Sequence, residues 1–349
     1  QPPAEYAVSG PYTHKNLTIF LLHGSNQSQG RTPLTLQEAM KRKLVVVRET
    51  GDVNRLTIQN RSNQDVFVQA GDIVKGGQQD RVLALDLIIP PRSGRIPIDA
   101  FCVEQGRWSR RGDETVTAFS ASNNALASKD LKIAAKAKAS QSDVWANVGK
   151  TQEKLAANLA VMRTATPVAT PAPGRTGRSG GMARGGGGGN AGGSIGRLTT
   201  VTDNASPSSL QLTLENKLVK DTANDYVKNL SSIIAGKRDV IGFVFAINGQ
   251  INSADVYSSN ALFVKLWPKM LEASAIEAVA ELKADEKFQS VEADAVKGFL
   301  RESHSGKAET KKVTARTSML KSETEKNLYF ETRDLSRDKK WLHRNYLAK

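Results

Sequence analysis

The sequence predicts an α+β fold: a β-rich N-terminal half with one helical segment, a Gly-rich insertion, and a mixed α/β C-terminal half. Between residues 17 and 108, short runs rich in Val, Ile and Leu alternate with Gly, Asn, Asp or Pro, which is typical of strands. After residue 205, helical spacing and strand-like runs both occur. The 349 residues are enough for two compact domains.

The N-terminal half contains six predicted strands, which are LTIFLL, LVVVRET, RLTIQN, DVFVQA, RVLALDLIIP and RIPIDAFCVE. The run TLQEAMKR predicts a helix, with Thr35 as N-cap and Glu38 three residues later completing a capping box. Residues 122–162 are rich in Ala, Lys, Gln and Leu at helical spacing, which predicts two helices.

A Pro-rich and then Gly-rich stretch begins after these helices. Such a composition buries too little apolar surface to offset its ordering entropy, so it predicts a linker or an exposed insertion. Its arginines alternate with glycine, as in nucleic-acid-binding tails, but the interleaved aromatic residues of such tails are missing. A spacer is therefore the favoured interpretation.

The second half is predicted to begin with a helix over residues 215–235. The strands VIGFVFAI and QINSADVY follow, joined by Asn-Gly, a strong hairpin signal. Helices near 259–283 and 289–302 precede three final strands, which are KKVTARTSML, NLYFETRD and KWLHRNYLA. The predicted regions are a tail (1–16), a β-rich region followed by helices (17–164), the insertion (165–204), and an α+β region packed with the first (205–349).

Composition and charge restrict the class of protein. Hydrophobic residues make up 39% and charged residues 24%, which is typical of a globular protein, and no apolar run is long enough for a membrane helix. The net charge of +14 favours polyanion binding. However, much of the excess lies on helical runs such as KDLKIAAKAKAS, which predicts a solvated surface.

The first residue, Gln1, predicts signal-peptide removal and an extracytoplasmic location, either periplasmic or secreted. The alternative is a trimmed chain. The single cysteine, Cys102, excludes an intramolecular disulfide.

Several short motifs match catalytic patterns without the required context. VGKT at 148–151 has Val144 where the first P-loop glycine belongs, and the two G-x-S-x-G matches lie in the insertion. The four histidines lack metal-ligand spacing, so no metal and no cofactor is predicted.

The opposing runs RVLALDLII and RIPIDAFCVE predict an antiparallel hairpin. A turn centred on Ser93 pairs Leu83 with Cys102 and Leu87 with Ile98 on one apolar face. That register places Arg81 opposite Glu104. It also places Asp86 opposite Asp99, which is unfavourable without a cation between them.

Polar side chains gather around the predicted Arg81–Glu104 pair: Gln79, Asp80, Gln105, Arg107 and Trp108. One interpretation is an anion pocket, in which Arg81 or Arg107 holds a phosphate or carboxylate, Trp108 stacks on a ring, and Glu104 or Asp80 acts as base. Gln79 would supply further hydrogen bonds. The other interpretation is a structural strut, in which the charges are buried and mutually hydrogen-bonded.

GDIVKGGQQDRVLALDLIIPP, followed by FCVEQGRW, resembles the bacterial domain family named for its association with ADP-ribosylglycohydrolases and rhodanese-phosphatases. VIGFVFAINGQINSADVYSSNALFVKLWPKML, YFETRD and WLHRNYLAK resemble the C-terminal half of that family. The resemblance implies a link to NAD or ADP-ribose metabolism through gene association. The matching polar positions are Gly71, Gly76, Gln79, Arg81, Glu104, Arg107, Trp108, Asp255 and His343.

Asp255 and His343 have two interpretations each. Asp255 could cap a helix or form a turn, which is the commoner role, or could accept from an arginine. His343 could be a general base, but a buried histidine with satisfied hydrogen bonds is the commoner arrangement.

Three functional hypotheses follow from the sequence. The first is an exported protein that acts by binding or assembly, as a homo-oligomer or with another envelope protein through residues 165–204. The second is a hydrolase or transferase for a phosphorylated or ADP-ribose-like anionic ligand at Arg81, Glu104 and Arg107. The third is non-specific polyanion binding.

Overall fold

The computed structural model describes residues 6–27, 30–77, 79–104, 119–165, 210–283, 287–338 and 340–349. In these ranges, strands and helices occur in both halves, and the predicted α+β class is confirmed. Residues 166–204 of the predicted insertion lie outside the described residues.

The strands before residue 127 are short. They are β1 (Ala7–His14), β2 (Leu17–His23), β3 (Leu34–Thr35), β4 (Val45–Glu49), β5 (Arg55–Asn60), β6 (Val66–Val68), β7 (Asp72–Gly76), β8 (Arg81–Leu83), β9 (Leu87–Ile89), β10 (Ile96–Cys102) and β11 (Phe119–Leu126). Residues 7–14, within the predicted tail, therefore form a strand.

The later strands are six to nine residues long. They are β12 (Val240–Ile247), β13 (Gln250–Tyr257), β14 (Lys307–Lys312), β15 (Thr317–Glu323), β16 (Asn327–Asp334) and β17 (Lys340–Ala348). The run KKVTARTSML, predicted as one strand, instead spans parts of β14 and β15 and the turn between them.

The α-helices are α1 (Leu36–Lys41), α2 (Lys129–Lys132), α3 (Gln141–Ala165), α4 (Leu210–Glu215), α5 (Lys217–Leu230), α6 (Asn260–Ala280) and α7 (Ala293–Glu302). A π-helical turn, Ile133–Ala137, continues α2, and a 3-10 turn, Ser231–Ile234, continues α5. The predicted helical start at residue 122 is wrong, because residues 119–126 pair with β7 as a strand. Among the described residues, no helix has both the length and the apolar character needed to cross a membrane.

The capping box of α1 is confirmed. The Thr35 hydroxyl accepts from the backbone N–H of Glu38, and the Glu38 carboxylate accepts from the backbone N–H of Thr35. These two bonds satisfy donors that a helix N-terminus otherwise leaves without partners.

In the described ranges the strands form three sheets, two of them antiparallel throughout. The large sheet has the order β1-β2-β12-β13-β17-β16-β15-β14, and the second has the order β11-β7-β8-β10-β5-β4. The small sheet, β3-β6-β9, contains one parallel and one antiparallel pairing. Because β1 and β2 join the large sheet, the two halves of the chain share one sheet.

The large sheet is covered on both faces. Along β2, Leu17, Ile19 and Leu21 face one apolar cluster, whereas Phe20 and Leu22 face another. Helix α6 packs between β12 of the large sheet and β11 of the second sheet, and α7 contributes apolar side chains to the opposite face. This double burial explains why β2 and β12 are almost uninterrupted apolar runs.

The predicted hairpin register is wrong by two residues. Leu83 pairs with Ala100 and Cys102 pairs with Arg81, so Arg81 does not lie opposite Glu104. The face is preserved, because Leu83 and Ala100 are both buried.

The predicted pairing of Leu87 with Ile98 is also wrong. Leu87 pairs with Val68 in the small sheet, and Ile98 pairs with Leu56 in the second sheet. The chain changes sheets across residues 84–86, where Asp86 enters the interior. The unfavourable opposition of Asp86 and Asp99 is thereby avoided.

The Asn-Gly turn between β12 and β13 is confirmed. Asn248 and Gly249 both have positive φ, 52° and 72°, as a tight hairpin turn requires. A Cβ atom on Gly249 would lie 2.5 Å from the backbone oxygen of Gln289. Position 249 therefore combines a left-handed conformation with a close backbone approach.

We expect Gly249→Ala to lower the free energy of unfolding by about 2–4 kcal/mol, through left-handed strain and the clash together. Gly236→Ala is the matched control, because Gly236 also has φ of 72° but its Cβ would meet nothing within 4 Å. It should cost about 1–2 kcal/mol. Urea denaturation measures both, and equal losses would show that the close approach to Gln289 contributes nothing.

Candidate functional site

The predicted polar residues around β8 lie in the interior. Gln79, Asp80, Arg81 and Glu104 are between 0% and 2% exposed. Arg81 Nη1 donates to the backbone oxygen and to Oε1 of Gln79, at 3.1 and 3.3 Å. Its Nη2 lies 3.6 Å from Oε1 of Glu49. The polar residues therefore provide partners for a buried guanidinium.

Asp80 fixes the turn that precedes Arg81. Its Oδ1 accepts from the backbone N–H of Gly76 at 2.9 Å. Gly77 has φ of 60°, and a Cβ there would lie 2.5 Å from Oε1 of Glu49 and 2.6 Å from the Phe119 ring. A side chain at position 77 would therefore force the Glu49 carboxylate and the Phe119 ring to shift.

The predicted anion pocket is only partly within the described residues. Gln105, Arg107 and Trp108 lie outside them. Arg81 Nε and Gln79 Nε2 are buried and have no hydrogen-bond partner among the described residues. The ligand-binding roles of Gln79, Arg81, Arg107 and Trp108 and the catalytic roles of Asp80 and Glu104 stay predictions.

Asp255 and His343 lie together in a different place, on adjacent strands of the large sheet. Asp255 is within β13 and accepts from His343 Nε2 at 2.9 Å and from Asn345 Nδ2 at 3.0 Å. It therefore does not cap α6; Ser259 does, through its hydroxyl. The structure places neither Asp255 nor His343 in contact with Arg81.

Asp86 completes a second polar site, here named the Asp86–His343 cluster: Asp86, Lys136, Asp255, Thr332 and His343. His343 Nδ1 lies 2.8 Å from Asp86 Oδ2, so the imidazole bridges two carboxylates. The other Asp86 oxygen accepts from the backbone N–H of Ala70 at 2.6 Å, and Thr332 donates to Oδ2 at 2.6 Å. Lys136 Nζ lies 3.6 Å from Oδ2.

The bridging geometry determines the protonation state. A neutral imidazole has one N–H and could satisfy only one of the two carboxylates. With a hydrogen-bonded carboxylate at each ring nitrogen, the imidazolium form of His343 donates to both. Tyr257 stacks on the ring at a centroid distance of 4.6 Å and an interplanar angle of 10°.

The charges of the cluster are mutually stabilised despite burial. Burial opposes ionisation of Asp86, but Lys136 and His343 hold the pKa of Asp86 far below its usual range. Burial also opposes ionisation of Asp255, while Lys132 and His343 hold its pKa below the usual value. Burial lowers the pKa of His343, yet the two carboxylates raise it more.

The sequence interpretation of KDLKIAAKAKAS as a solvated surface is wrong for two of its lysines. Lys132 and Lys136 are 6% and 7% exposed. Burial lowers the pKa of Lys136, although Asp86 and Asp255 oppose that effect. Its ammonium lies 4.5 Å from the centre of the Phe330 ring. The sequence did contain a signal for a shared location: the two lysines are four residues apart, which puts both on one helical face.

A second ionic group joins the small sheet to the large one. The Arg316 guanidinium forms paired bonds with Asp65, which precedes β6, and with Asp334, at the end of β16; all four distances lie between 2.8 and 3.1 Å. Arg337 lies 3.3 Å from Asp65 and 3.5 Å from Asp334. Bidentate pairing of this kind holds both carboxylates in fixed positions.

An open cavity of about 320 Å³ adjoins this group, at the seam between the small and large sheets. It is named the seam cavity, and its lining includes Asp65, Ser258, Asp334, Arg337, Lys340 and Trp341. Ser258 follows Tyr257, and Leu342, another lining residue, precedes His343. The seam cavity therefore lies next to the Asp86–His343 cluster but does not include it.

Within the described ranges, no group of His, Cys, Asp and Glu is arranged to hold a metal ion. In the Asp86–His343 cluster, both ring nitrogens of His343 already contact carboxylates. No nitrogen of that ring is left to bind a metal.

The chain is an α+β protein whose three sheets are joined by ionic groups among the described residues. The family model of the ARPP-1 domain, the ARG and Rhodanese-Phosphatase-superfamily-associated Protein domain, matches residues 5–347, and the chain belongs to this family. Comparisons with curated proteins and with solved structures gave no match.

Asp86→Asn should lower the free energy of unfolding by about 3–5 kcal/mol, because it removes the anion from two buried cations. Asp225→Asn is the control. Asp225 also pairs with a histidine and a lysine, His14 and Lys15, but its side chain is 43% exposed. This surface substitution should cost less than about 1 kcal/mol. Equal losses in chemical denaturation would contradict the role given to the buried cluster.

The pH dependence of stability should differ between wild type and His343→Gln. The folded-state pKa of His343 is raised above 6.5, so its contribution is full below about pH 6.5 and is lost as pH rises through the folded pKa. Asp86 and Asp255 contribute above about pH 3.8 and lose their contribution as pH falls. Denaturation from pH 5 to 9 should show wild type losing stability relative to the variant above pH 6.5. If His343 were neutral in the folded state, wild type would instead gain stability relative to the variant as pH rises from 5 to about 6.5, and the difference would be constant above that pH.

Proposed function

We propose that the protein acts by binding or assembly rather than by catalysis. The observation that supports this most is the burial of the candidate catalytic groups: Asp80, Glu104 and His343 are 0%, 2% and 1% exposed. A general base must come within hydrogen-bond reach of its substrate, directly or through one water. These three side chains offer no such access in the folded protein.

The internal bonding of His343 supports the same proposal. Both of its ring nitrogens are engaged by carboxylates, so it has no lone pair with which to accept a proton. An ionised histidine held in this way fixes the positions of Asp86 and Asp255. Its role is to join β17 to β13 and to the chain between β8 and β9.

A location outside the cytoplasm is part of the proposal, together with a homo-oligomer or an envelope protein as partner. Cell fractionation of the native host with an antibody to this chain would test the location. Recovery in the cytoplasmic fraction alone would contradict the proposed location and the envelope partner. It would not contradict the proposed binding or assembly function.

The alternative is a hydrolase or transferase for a phosphorylated or ADP-ribose-like ligand at Arg81, Glu104 and Arg107. The buried donors Arg81 Nε and Gln79 Nε2 favour it, because they have no partner among the described residues. Donors of this kind suit a phosphate or carboxylate. The alternative requires that β8 and its preceding turn open to admit the ligand.

The two functions are separated by assaying wild type and Glu104→Gln with ADP-ribose and with simple phosphate esters. We expect no turnover by either protein, because Glu104 is sealed. Glu309→Gln is the control, since it makes the same change at an exposed carboxylate of β14, far in sequence from the candidate base. Turnover by wild type that is lost in a cooperatively folded Glu104→Gln protein would establish the enzymatic alternative.

A further inference from the structure

The strand β14 gives the large sheet an open edge. It is the last strand in the order of that sheet, and within the described residues it pairs with β15 alone. The pairing runs without a register shift from Lys307, opposite Glu323, to Lys312, opposite Ser318. All six residues of β14 are exposed. A regular edge strand of this kind presents a row of backbone donors and acceptors to solvent.

The opposite edge of the large sheet is less suited to pairing with another strand. There β1 contains Pro11, which has no backbone N–H, and its register with β2 shifts between Ser9 and Tyr12. A proline and a bulge both interrupt the hydrogen-bond ladder that an added strand needs. Of the two edges of this sheet, β14 is therefore the one that can accept a regular strand.

The hydrogen bonds at the end of β14 identify the backbone groups that face the open edge. The backbone N–H of Val313 donates to the carbonyl of Thr317 at 2.9 Å, so these two residues form a hydrogen-bonded pair. Hydrogen-bonded and non-hydrogen-bonded pairs alternate along an antiparallel ladder. Three residues of β14 therefore turn their N–H and C=O groups outward: Ala308, Thr310 and Lys312. Among the described residues, these outward groups have no hydrogen-bond partner.

The charges of β14 favour an acidic partner. Three lysines against one glutamate give the strand a net charge of +2. None of these lysines forms an ion pair within the described ranges; Glu323, opposite Lys307, instead pairs with Lys321 and Lys349 at 2.8 and 2.7 Å. Opposite charges facing each other across a strand pair are stabilising, and like charges are destabilising. The edge therefore repels basic strands and attracts acidic ones.

We propose that β14 binds an extended, acidic peptide segment of a partner protein by strand addition. The backbone of the segment pairs with the outward groups of β14, and its carboxylates lie opposite the lysines. In complexes of this kind, main-chain hydrogen bonds supply affinity and alternate side chains supply specificity. This inference rests on the proposed binding function and names the class of partner for it.

The positions of the lysines determine which sequence fits best. Lys307 and Lys311 project on one face of the sheet and Lys312 on the other, because side chains alternate along a strand. An antiparallel segment therefore carries acidic residues opposite these three positions and a neutral residue opposite Glu309. The peptide Glu-Glu-Val-Thr-Val-Glu meets this requirement, with its first glutamate opposite Lys312 and its last opposite Lys307.

The test is fluorescence anisotropy of this peptide, labelled and blocked at both termini, with the full chain at up to about 0.5 mM, where a Kd of about 0.1 mM would be detected. We expect binding that weakens as salt is added, because salt screens exposed charges. The same peptide with lysine in place of each glutamate should not bind. Equal affinity for the two peptides would overturn the inference.

Backbone pairing is tested by changing the peptide alone. N-methylation of its first valine, opposite Thr310, removes a donor that faces β14 and should weaken binding about tenfold. N-methylation of its threonine, opposite Glu309, removes an N–H that points away from β14 and should leave binding nearly unchanged. Equal effects at the two positions would overturn strand addition, whatever happens to variants of the protein.

Thr310→Pro makes the matching change in the protein. It removes an outward N–H without removing a bond to β15, and proline is tolerated on an edge strand where the N–H faces solvent. It should weaken peptide binding about tenfold, whereas Thr310→Val, which keeps the N–H, should not. Unfolding temperatures establish that both variants are folded, and equal binding by the two would contradict the inference.

Charge reversal tests the role of the lysines. Lys311→Glu combined with Lys312→Glu should weaken peptide binding about tenfold or more. The control is Lys220→Glu combined with Lys228→Glu, which makes the same change in charge at exposed positions of α5. Equal losses would indicate attraction to the overall charge of the chain and would overturn the inference. Binding of oligothymidylate but not of the peptide would also overturn it, in favour of a nucleic-acid surface.

Sedimentation of wild type and Thr310→Pro separates this inference from the proposed function. An oligomer that Thr310→Pro leaves intact, with no peptide binding by wild type, would overturn the inference and keep assembly. Turnover in the assays with Glu104→Gln would contradict the proposed function, whereas peptide binding that depends on Thr310 as expected would still support the inference.

Discussion

The hydrogen bonds of His343 to Asp86 and Asp255 are the interaction on which the arrangement of the three sheets depends. One ring nitrogen holds a carboxylate that lies between β8 and β9, and the other holds a carboxylate of β13. Lys136, from the π-helical turn, approaches the same carboxylate of Asp86. Because the charges are buried, none of these groups can exchange its partner for water at low free-energy cost. The cluster therefore restricts how the second sheet, the small sheet and the helical segment can pack on the large sheet.

The local elements were predictable from sequence wherever one interaction dominates. The capping box at Thr35 depends on residues three apart, and the Asn248–Gly249 turn depends on two residues that tolerate positive φ. The hairpin register was not predictable, because a shift of two residues keeps the same side chains on the buried face. The register was decided by the entry of Asp86 into the interior, toward Lys136 and His343, which are 50 and 257 residues away in the chain.

Only part of the candidate site was predicted from the sequence, because its contacts, like the hairpin register, join residues that are distant in the chain. Asp255 and His343 were identified through the family resemblance, and the burial of Arg81 and Glu104 fits the strut interpretation of that cluster. Asp86 and Lys136 were missed, since a single carboxylate in an apolar strand and a lysine on an alanine-rich helix each have an ordinary surface interpretation. Only their proximity in three dimensions reveals a balanced ionic group, and no local spacing encodes it.

The strand β14 has a consequence for how copies of the protein meet. It is the last strand of the large sheet, all six of its residues are exposed, and three of them are lysines. A sheet edge with exposed backbone donors and acceptors is a template for adding strands from another chain. Two such lysine-rich edges would repel each other as they approached. Repulsion at β14 therefore opposes the addition of a strand from another copy to this edge of the large sheet. Fibre growth through β14 is disfavoured even where the protein is crowded.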